Sequence, residues 1–456
     1  MYSEKRKKLF AMSVLIFAAV GGVLYGYDLG IIAGAMLFIR RDIPMSVDEL
    51  SVLVGAVFGG GAIATLVTGP LADIFGRRKM IMLSSLVFIV GVLLVYYSTN
   101  FTEVMWGRVI QGLGVGIITI AVPLYLAESV PGKLRGVGVS VFQLLLTAGI
   151  LFAALVGLYF TPTGDWRGMF LTALVPGLVM FFGCFALSDS PRYLVMKGQY
   201  QKAREVLARF RPADEVDLVL NRMKQAREKH LSRAAGEIVE SLFQKRFIKP
   251  LLMGIGIAML NQLIGTNAIL QLSAYLLKST GLQSNMVAMV GGTMITGLNF
   301  IVTLIAMFLV DRLPRKLLYS IGTGGLTLAL ICAGLTLQLL PHSVLQGHLL
   351  LTSILFFIGF YAMGPGMLVW VVLSEVMPTR IRSTGMAIAL CLNSFISFGF
   401  SAIFIKLSTM MGDAGIFFVC AGFGLVYFLM TSLVLPETKG KSLEEIEHSF
   451  EEAAGH

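Results

Sequence analysis

Twelve apolar runs, each long enough to cross a bilayer as a helix, divide this chain of 456 residues. They cover residues 9–39, 50–72, 80–98, 103–127, 136–160, 166–187, 248–277, 285–310, 316–339, 346–373, 384–408 and 413–435. A crossing helix needs about 20 predominantly apolar residues. Hydrocarbon offers no partner for an open strand edge, so such runs must be helices. The sequence therefore predicts an all-α membrane protein with twelve transmembrane helices. Composition agrees: 14% of the residues are charged, where a soluble domain carries about 25%. An ordinary soluble enzyme or a free-standing nucleic-acid binder is excluded on this ground. Lys5-Arg6-Lys7-Lys8 before the first run imitates a signal peptide. The run is too long for one and more runs follow, so an uncleaved first helix is expected.

The basic residues set the orientation. With twelve spans, both termini share a side. The loops on that side, with the termini, hold thirty of the 36 Lys and Arg residues. The opposite loops hold only Arg40, Arg41, Arg167, Lys278 and Lys406, and Arg108 falls inside a span. By the positive-inside rule both termini are expected in the cytoplasm, with the chain in a cell membrane, a bacterial inner membrane. The net charge of +10 thus follows from topology and implies no nucleic-acid partner.

One long polar stretch, 188–247, separates six spans from six. Within it Ala203, Val206, Leu207 and Phe210 recur at helical spacing, as expected of a helical linker lying on the cytoplasmic face. The halves on either side echo each other. Glu128-Ser129-Val130-Pro131-Gly132-Lys133-Leu134-Arg135 matches Glu375-Val376-Met377-Pro378-Thr379-Arg380-Ile381-Arg382 at an offset of 247. Asp73-Ile74-Phe75-Gly76-Arg77-Arg78-Lys79 matches Asp311-Arg312-Leu313-Pro314-Arg315-Lys316 at 238. Asp189-Ser190-Pro191-Arg192 and Glu437-Thr438-Lys439 close the two halves, 248 apart at their acids. Near-constant offsets indicate an internal duplication. The expected organisation is a six-helix half at 1–187, the linker at 188–247, a second half at 248–435 and a cytoplasmic tail at 436–456. Two halves with a site between them at the midplane is an alternating-access design.

Two charges at membrane depth call for an explanation, since each costs on the order of 3 kcal/mol there. Asp28 lies about eleven residues from the outer end of the first run, and Arg108 within two turns of the outer start of the fourth. Their similar depth predicts an ion pair. Protonation of Asp28 would break that pair, which suits a proton-coupled gate; a permanent structural pair is the alternative. The other membrane-depth polar residues are mostly amides: Gln143, Asn261, Gln262, Asn267, Gln271, Asn299 and Asn393. Amides donate and accept, as a polyhydroxylated ligand requires. Trp370, deep in the tenth run, offers an apolar face for a sugar ring. Gly265 and Gly364-Pro365-Gly366 should break their helices. Helix-to-helix hydrogen bonding is the competing role for these amides.

No catalytic constellation emerges, and no metal site, cofactor or disulfide framework is expected. Cys184, Cys332, Cys391 and Cys420 have neither paired spacing nor His partners. Gly440-Lys441-Ser442 resembles the end of a phosphate-binding loop, but position 435 is Leu rather than Gly, so ATP drive is unsupported.

Taken together, Gly69-Pro70-Leu71-Ala72-Asp73-Ile74-Phe75-Gly76-Arg77-Arg78, Gly107-Arg108 with Gly112-Leu113-Gly114-Val115-Gly116, Tyr125-Leu126-Ala127-Glu128 with Arg135-Gly136, Asp189-Ser190-Pro191-Arg192 and Pro436-Glu437-Thr438-Lys439-Gly440 are recognisable. Across essentially its full length the chain resembles a sugar porter of the major facilitator superfamily. It is most similar to bacterial proton–pentose and proton–hexose symporters, and more distantly to facilitative glucose transporters. The resemblance implies a major facilitator fold of two pseudo-symmetric six-helix halves. It implies sugar contacts at Gln143, Gln262, Asn267, Asn299, Trp370 and Asn393, and proton coupling at Asp28 with Arg108. It also implies a cytoplasmic gate of Arg77, Glu128, Arg135, Arg315, Glu375 and Arg382 that holds the halves together when the site faces outward. The chain departs from the family pattern at Asn261 (usually Gln), Gln271 (usually Tyr), Ser394 (usually Trp), Pro314 (usually Gly) and Asp189 (usually Glu). Gln271 is thereby a pocket position of this chain's own, and the sugar's identity is left open.

The expected function is proton-coupled symport of a monosaccharide, pentose or hexose, into the cell by alternating access. The expected partners are the sugar, the proton and the lipid bilayer, and a monomer is expected. The alternatives are a proton-independent facilitator of a sugar or polyol and a transporter-like nutrient sensor.

Overall fold

The protein is described by a computed structural model covering residues 4–129, 132–209, 211, 213–232, 244–280, 284–310, 312–378 and 381–439. Among these residues there is no strand, and all twelve runs form helices long and apolar enough to cross a membrane. The first half contains α1 (Glu4–Ala35), α2 (Val47–Phe75), α3 (Arg77–Tyr97), α4 (Phe101–Ser129) and α5 (Gly132–Phe160). Its sixth span is two helices, α6 (Trp166–Leu171) and α7 (Leu174–Gly183). The linker carries α8 (Pro191–Met196), α9 (Tyr200–Ala208) and α10 (Ala213–Ser232). The second half contains α11 (Lys245–Leu263), α12 (Thr266–Ser279), α13 (Asn285–Leu309), α14 (Arg315–Leu339), α15 (Val344–Met363), α16 (Pro365–Val376), α17 (Arg382–Met411) and α18 (Asp413–Leu429). The side of the bundle bearing α8–α10 is called the linker face, and the other the far face.

Three spans are interrupted, each for a local reason. Gly265 sits at φ +80°, a left-handed conformation only glycine adopts freely, and it separates α11 from α12. Gly364-Pro365 separates α15 from α16, because Pro365 starts a helix well but cannot continue one. The break in the sixth span was not expected. It falls at Thr172–Ala173, four residues ahead of Pro176, which has no N–H to give the Thr172 carbonyl. The first helix ends at Ala35, four residues before the apolar run does, and a short 3-10 turn at Ile39–Arg41 follows.

Small residues bring the helices close. Gly22, Gly26 and Gly30 of α1 face the backbone of Phe142, Leu146 and Ile150 in α5, in matching steps of four. A Cβ on Gly30 would lie 2.8 Å from the Ile150 carbonyl oxygen, so a larger residue would push the helices apart. The linker helices pack on one another through Ala203, Val206 and Leu207, all buried as their spacing predicts. Phe210 lies outside the described residues. Arg204 makes a two-pronged pair with Asp217 at 2.9 Å, joining α9 to α10.

The halves meet along α1 and α12, α2 and α17, and α5 and α13. The closest approaches lie toward the far face. Met289 of α13 fits its terminal methyl between Gly34 of α1 and Gly157 of α5. Asp48 of α2 pairs with Lys406 of α17 at 3.6 Å.

Candidate functional site

α1 and α4 run in opposite directions. Asp28 lies seven residues before the far end of α1, and Arg108 seven residues after the far start of α4. At 1.5 Å per residue both stand about 10 Å inside the far ends of their helices. They meet there: Arg108 Nη1 donates to Asp28 Oδ1 at 2.8 Å, and both side chains are buried, at 0% and 1% exposure. The same nitrogen donates to Gln111 Oε1 at 2.8 Å, and the guanidinium stands 5.5 Å over the Phe170 ring. Gln111 is a partner that the sequence reading missed, although its position three residues after Arg108 puts it on the same helix face. The second carboxylate oxygen, Oδ2, is buried with no hydrogen-bond partner, as are Arg108 Nε and Nη2. The pair is compensated in charge but not saturated in hydrogen bonds. A proton can therefore be accepted at Oδ2 without first breaking a bond there.

In the second half the break at Gly265 lets α12 start beside the end of α11, and this gathers the amides. Gln262 Nε2 donates to Asn393 Oδ1 at 2.9 Å. Asn267 Nδ2 donates to Gln262 Oε1 at 2.8 Å and to Ser397 Oγ at 3.0 Å. Gln262, Asn267 and Asn393 thus form one cradle from α11, α12 and α17. Ser397 belongs to it and was missed; it lies one turn beyond Asn393 on the same face. Asn299 on α13 is buried, and Gln143 on α5 and Trp370 on α16 are half-buried, but none is bonded to this network. Gln271 is buried, and its Oε1 has no partner. It lines a cleft of about 20 Å³ with Leu29, Gly30, Asn267, Met289 and Thr296, between the halves. That space suits one water and not a sugar ring.

The charge clusters on the linker face reproduce the sequence echo in their partners: in each half an acid holds an Arg and accepts from a hydroxyl. Arg77 Nη2 lies 2.8 Å from Glu128 Oε1 and 2.6 Å from Asp73 Oδ1. Ser190 Oγ donates to Glu128 Oε2 at 2.5 Å. In the second half Arg315 Nε lies 3.0 Å from Glu375 Oε2, and Thr438 Oγ1 donates to the same oxygen at 2.6 Å. Arg382 Nε donates to the Met377 carbonyl at 3.2 Å, and the Arg135 side chain lies outside the described residues. The two departures noted in these loops have visible effects. Glu437 caps α14 by accepting from the Arg315 and Lys316 N–H groups at 3.0 and 3.1 Å. The shorter Asp189 makes no matching cap, and its Oδ1 is buried without a partner. Gly76 enters α3 at φ +96°, a conformation closed to Pro314, which enters α14 at φ −57°.

Each of these two clusters joins residues of one half or its adjoining segment. The resemblance implied a gate that bridges the halves; in this structure the halves are instead bridged toward the far face, by Asp48–Lys406 and by Ser51 of α2 bonded to α17. The described arrangement has its far side closed.

Comparison with known proteins agrees with this architecture. The family model described as "Sugar (and other) transporter" matches residues 14–450. The chain is 33% identical over 447 residues to the glucose transporter GlcP of Staphylococcus epidermidis, covering 97% of this chain and 98% of that one. It is 31% identical over 449 residues to the galactose-proton symporter of Escherichia coli, covering 98% and 96%. Among solved structures, the proton:xylose symporter XylE bound to 6-bromo-6-deoxy-D-glucose superposes with a TM-score of 0.80 over 97% of this chain and 100% of that one. At 23% identity, that likeness is one of fold. The chain belongs to the sugar porter family of the major facilitator superfamily, whose members are transporters and not enzymes.

Proposed function

We propose that this protein carries a monosaccharide into the cell together with a proton, by alternating access. The observation that carries this reading is the fully buried Asp28–Arg108 pair with its unpartnered Oδ2. A carboxylate at this depth is tolerated while Arg108 compensates it, and protonation removes the need for that compensation. The state of α1 relative to α4 then depends on the proton. The similarity to a galactose-proton symporter supports the same coupling.

The sugar is held by the cradle of Gln262, Asn267 and Asn393, with Gln143, Asn299 and Trp370 completing the site from the facing helices and Gln271 at its far end. In the orientation set by the basic loops, the linker face is cytoplasmic, and a closed far side means an inward-facing state. In the opposite state the charge clusters built on Arg77, Glu128, Arg135, Arg315, Glu375 and Arg382 close the cytoplasmic side. The halves are 1–187 and 248–435, and the working unit is a monomer.

A facilitator of a sugar or polyol is favoured by one observation: Asp28 is already paired in this state, as a permanent structural pair would be. Reconstituted protein separates the two. Sugar added outside proteoliposomes under no other gradient should alkalinise the external medium as it enters. Uptake of the same sugar with no proton movement would establish the facilitator.

A further inference from the structure

Ser51, on α2 of the first half, is fully buried. Its hydroxyl donates to the Ser401 carbonyl at 3.2 Å and accepts from the Ile405 N–H at 3.4 Å. Those two groups lie four residues apart on α17, the spacing at which helix backbone groups bond each other. A side chain of one half therefore stands at a rung of the backbone ladder of the other. One turn along α2, Gly55 permits the approach: a Cβ there would lie 2.9 Å from the Phe398 carbonyl oxygen and 3.0 Å from Ala402 N. The helix gripped in this way also builds the cradle. One turn from Ser401, Ser397 accepts from Asn267, and one turn further Asn393 accepts from Gln262.

We infer that Ser51 is a positioning residue for transport: by bonding α17 it holds the far side closed and fixes the helix that presents Asn393 and Ser397 to the sugar. The inference rests on the alternating-access reading. When the far side opens, α2 and α17 part, Ser401 and Ile405 bond each other, and the Ser51 hydroxyl meets water. Neither state leaves a buried backbone group orphaned, so the contact can be made and broken in every cycle. The Asp48–Lys406 pair nearby is a different kind of contact. Both side chains are more than half exposed, and such pairs contribute little.

Pulsed electron-resonance distances between spin labels at Pro44 and Met410, which flank this contact on the far face, read the opening directly. They do so without substrate, so a wrong assignment of sugar or proton coupling leaves this test intact. The full chain is measured in lipid nanodiscs with Cys332 and Cys391 changed to Ser. Ser51→Ala should raise the far-open population about 5-fold, the shift expected from loss of one hydrogen-bonded contact. It should also weaken sugar binding measured from the linker side, because α17 no longer holds Asn393 and Ser397 in place. Ser51→Thr, which keeps the hydroxyl, should restore both readings, and Asp48→Asn should leave the distances unchanged. Gly55→Ala, which wedges α2 from α17, should open the far side and so show that the labels report the separation. Wild-type distances in Ser51→Ala alongside opening in Gly55→Ala would overturn the inference. So would a Ser51→Thr variant that behaves like Ser51→Ala, or opening by Asp48→Asn equal to that by Ser51→Ala.

Discussion

Glu128 accepts a 2.5 Å hydrogen bond from Ser190, and the same bond recurs in the second half between Glu375 and Thr438 at 2.6 Å. In both halves the acid also holds an Arg from the start of a helix, Arg77 or Arg315. The two sites differ in burial: Arg77 and Glu128 are each 3% exposed, Arg315 and Glu375 16% and 21%. Removing a charge from a buried pair strands its partner, at a cost of about 3–5 kcal/mol, which the remaining Arg77–Asp73 pair at 2.6 Å reduces here. Glu128→Gln should therefore lower the thermal stability of the purified protein clearly, and Glu375→Gln by about 1 kcal/mol or less. Equal losses in a detergent melt would show that burial does not distinguish them.

Both clusters are also expected to act as a gate and not to touch the sugar. Glu375→Ala should slow turnover while sugar affinity measured from the linker side stays within a few-fold. A cysteine introduced in the linker-side vestibule should then be alkylated faster. Loss of sugar binding with unchanged alkylation would contradict a gating role.

The cradle makes a sharper claim. Gln262 and Asn267 bond each other as well as α17, so losing either amide unpairs a neighbour along with a sugar hydroxyl. Gln262→Ala and Asn267→Ala should each weaken sugar binding by about 1–3 kcal/mol, roughly 5- to 150-fold. Ser397→Ala removes one hydroxyl bond and should cost about 1 kcal/mol. Equilibrium binding of a panel of pentoses, hexoses and polyols measures all three. Wild-type affinity for every transported sugar in both amide variants would place the site elsewhere.

Gln271 should set preference among sugars. Its Oε1 is buried without a partner and the residue lines a cleft of about 20 Å³, so Gln271→Tyr must overfill that space while the far side is closed. Competition by the same panel should change in rank order, with the smaller sugars gaining. An unchanged rank order would remove Gln271 from the site.

Much of this was legible in the sequence because membrane helices leave few choices. A run of apolar residues fixes the helix, and the rise per residue fixes depth; that was enough to bring Asp28 and Arg108 together from different helices. Gly265 and Gly364-Pro365 announced their own breaks. The break ahead of Pro176 was equally encoded, but a proline in an apolar run is common and only the local backbone shows whether the helix bends or parts. Gln111 and Ser397 sit at helical spacing from residues that were recognised, so the signal existed and was simply not followed. Ser51 could not have been singled out. Most serine and threonine hydroxyls in these helices bond their own backbone one turn back, as those of Ser84, Thr119 and Thr293 do. The packing of α2 on α17 turns the Ser51 hydroxyl outward to the backbone of another helix. Nor could the sequence show that each charge cluster stays within its own half, because that depends on which side of the bundle is closed.

Arg108 is expected to keep Asp28 ionised when no sugar is bound. Arg108→Leu strands a carboxylate in an apolar setting, and the group then avoids its charge by taking up a proton. Active uptake at neutral pH should be lost, while sugar exchange between two equal pools persists. Wild-type accumulation with an unchanged pH profile would rule this role out.

The central claim is that Asp28 couples the proton to the sugar, and it is tested most directly by Asp28→Asn in proteoliposomes with an imposed pH gradient. The amide keeps the size and much of the hydrogen bonding of the side chain but cannot change charge. Sugar counterflow should persist at a rate comparable to wild type, while accumulation against a sugar gradient falls to zero. Accumulation of sugar by Asp28→Asn to the wild-type level would contradict the account.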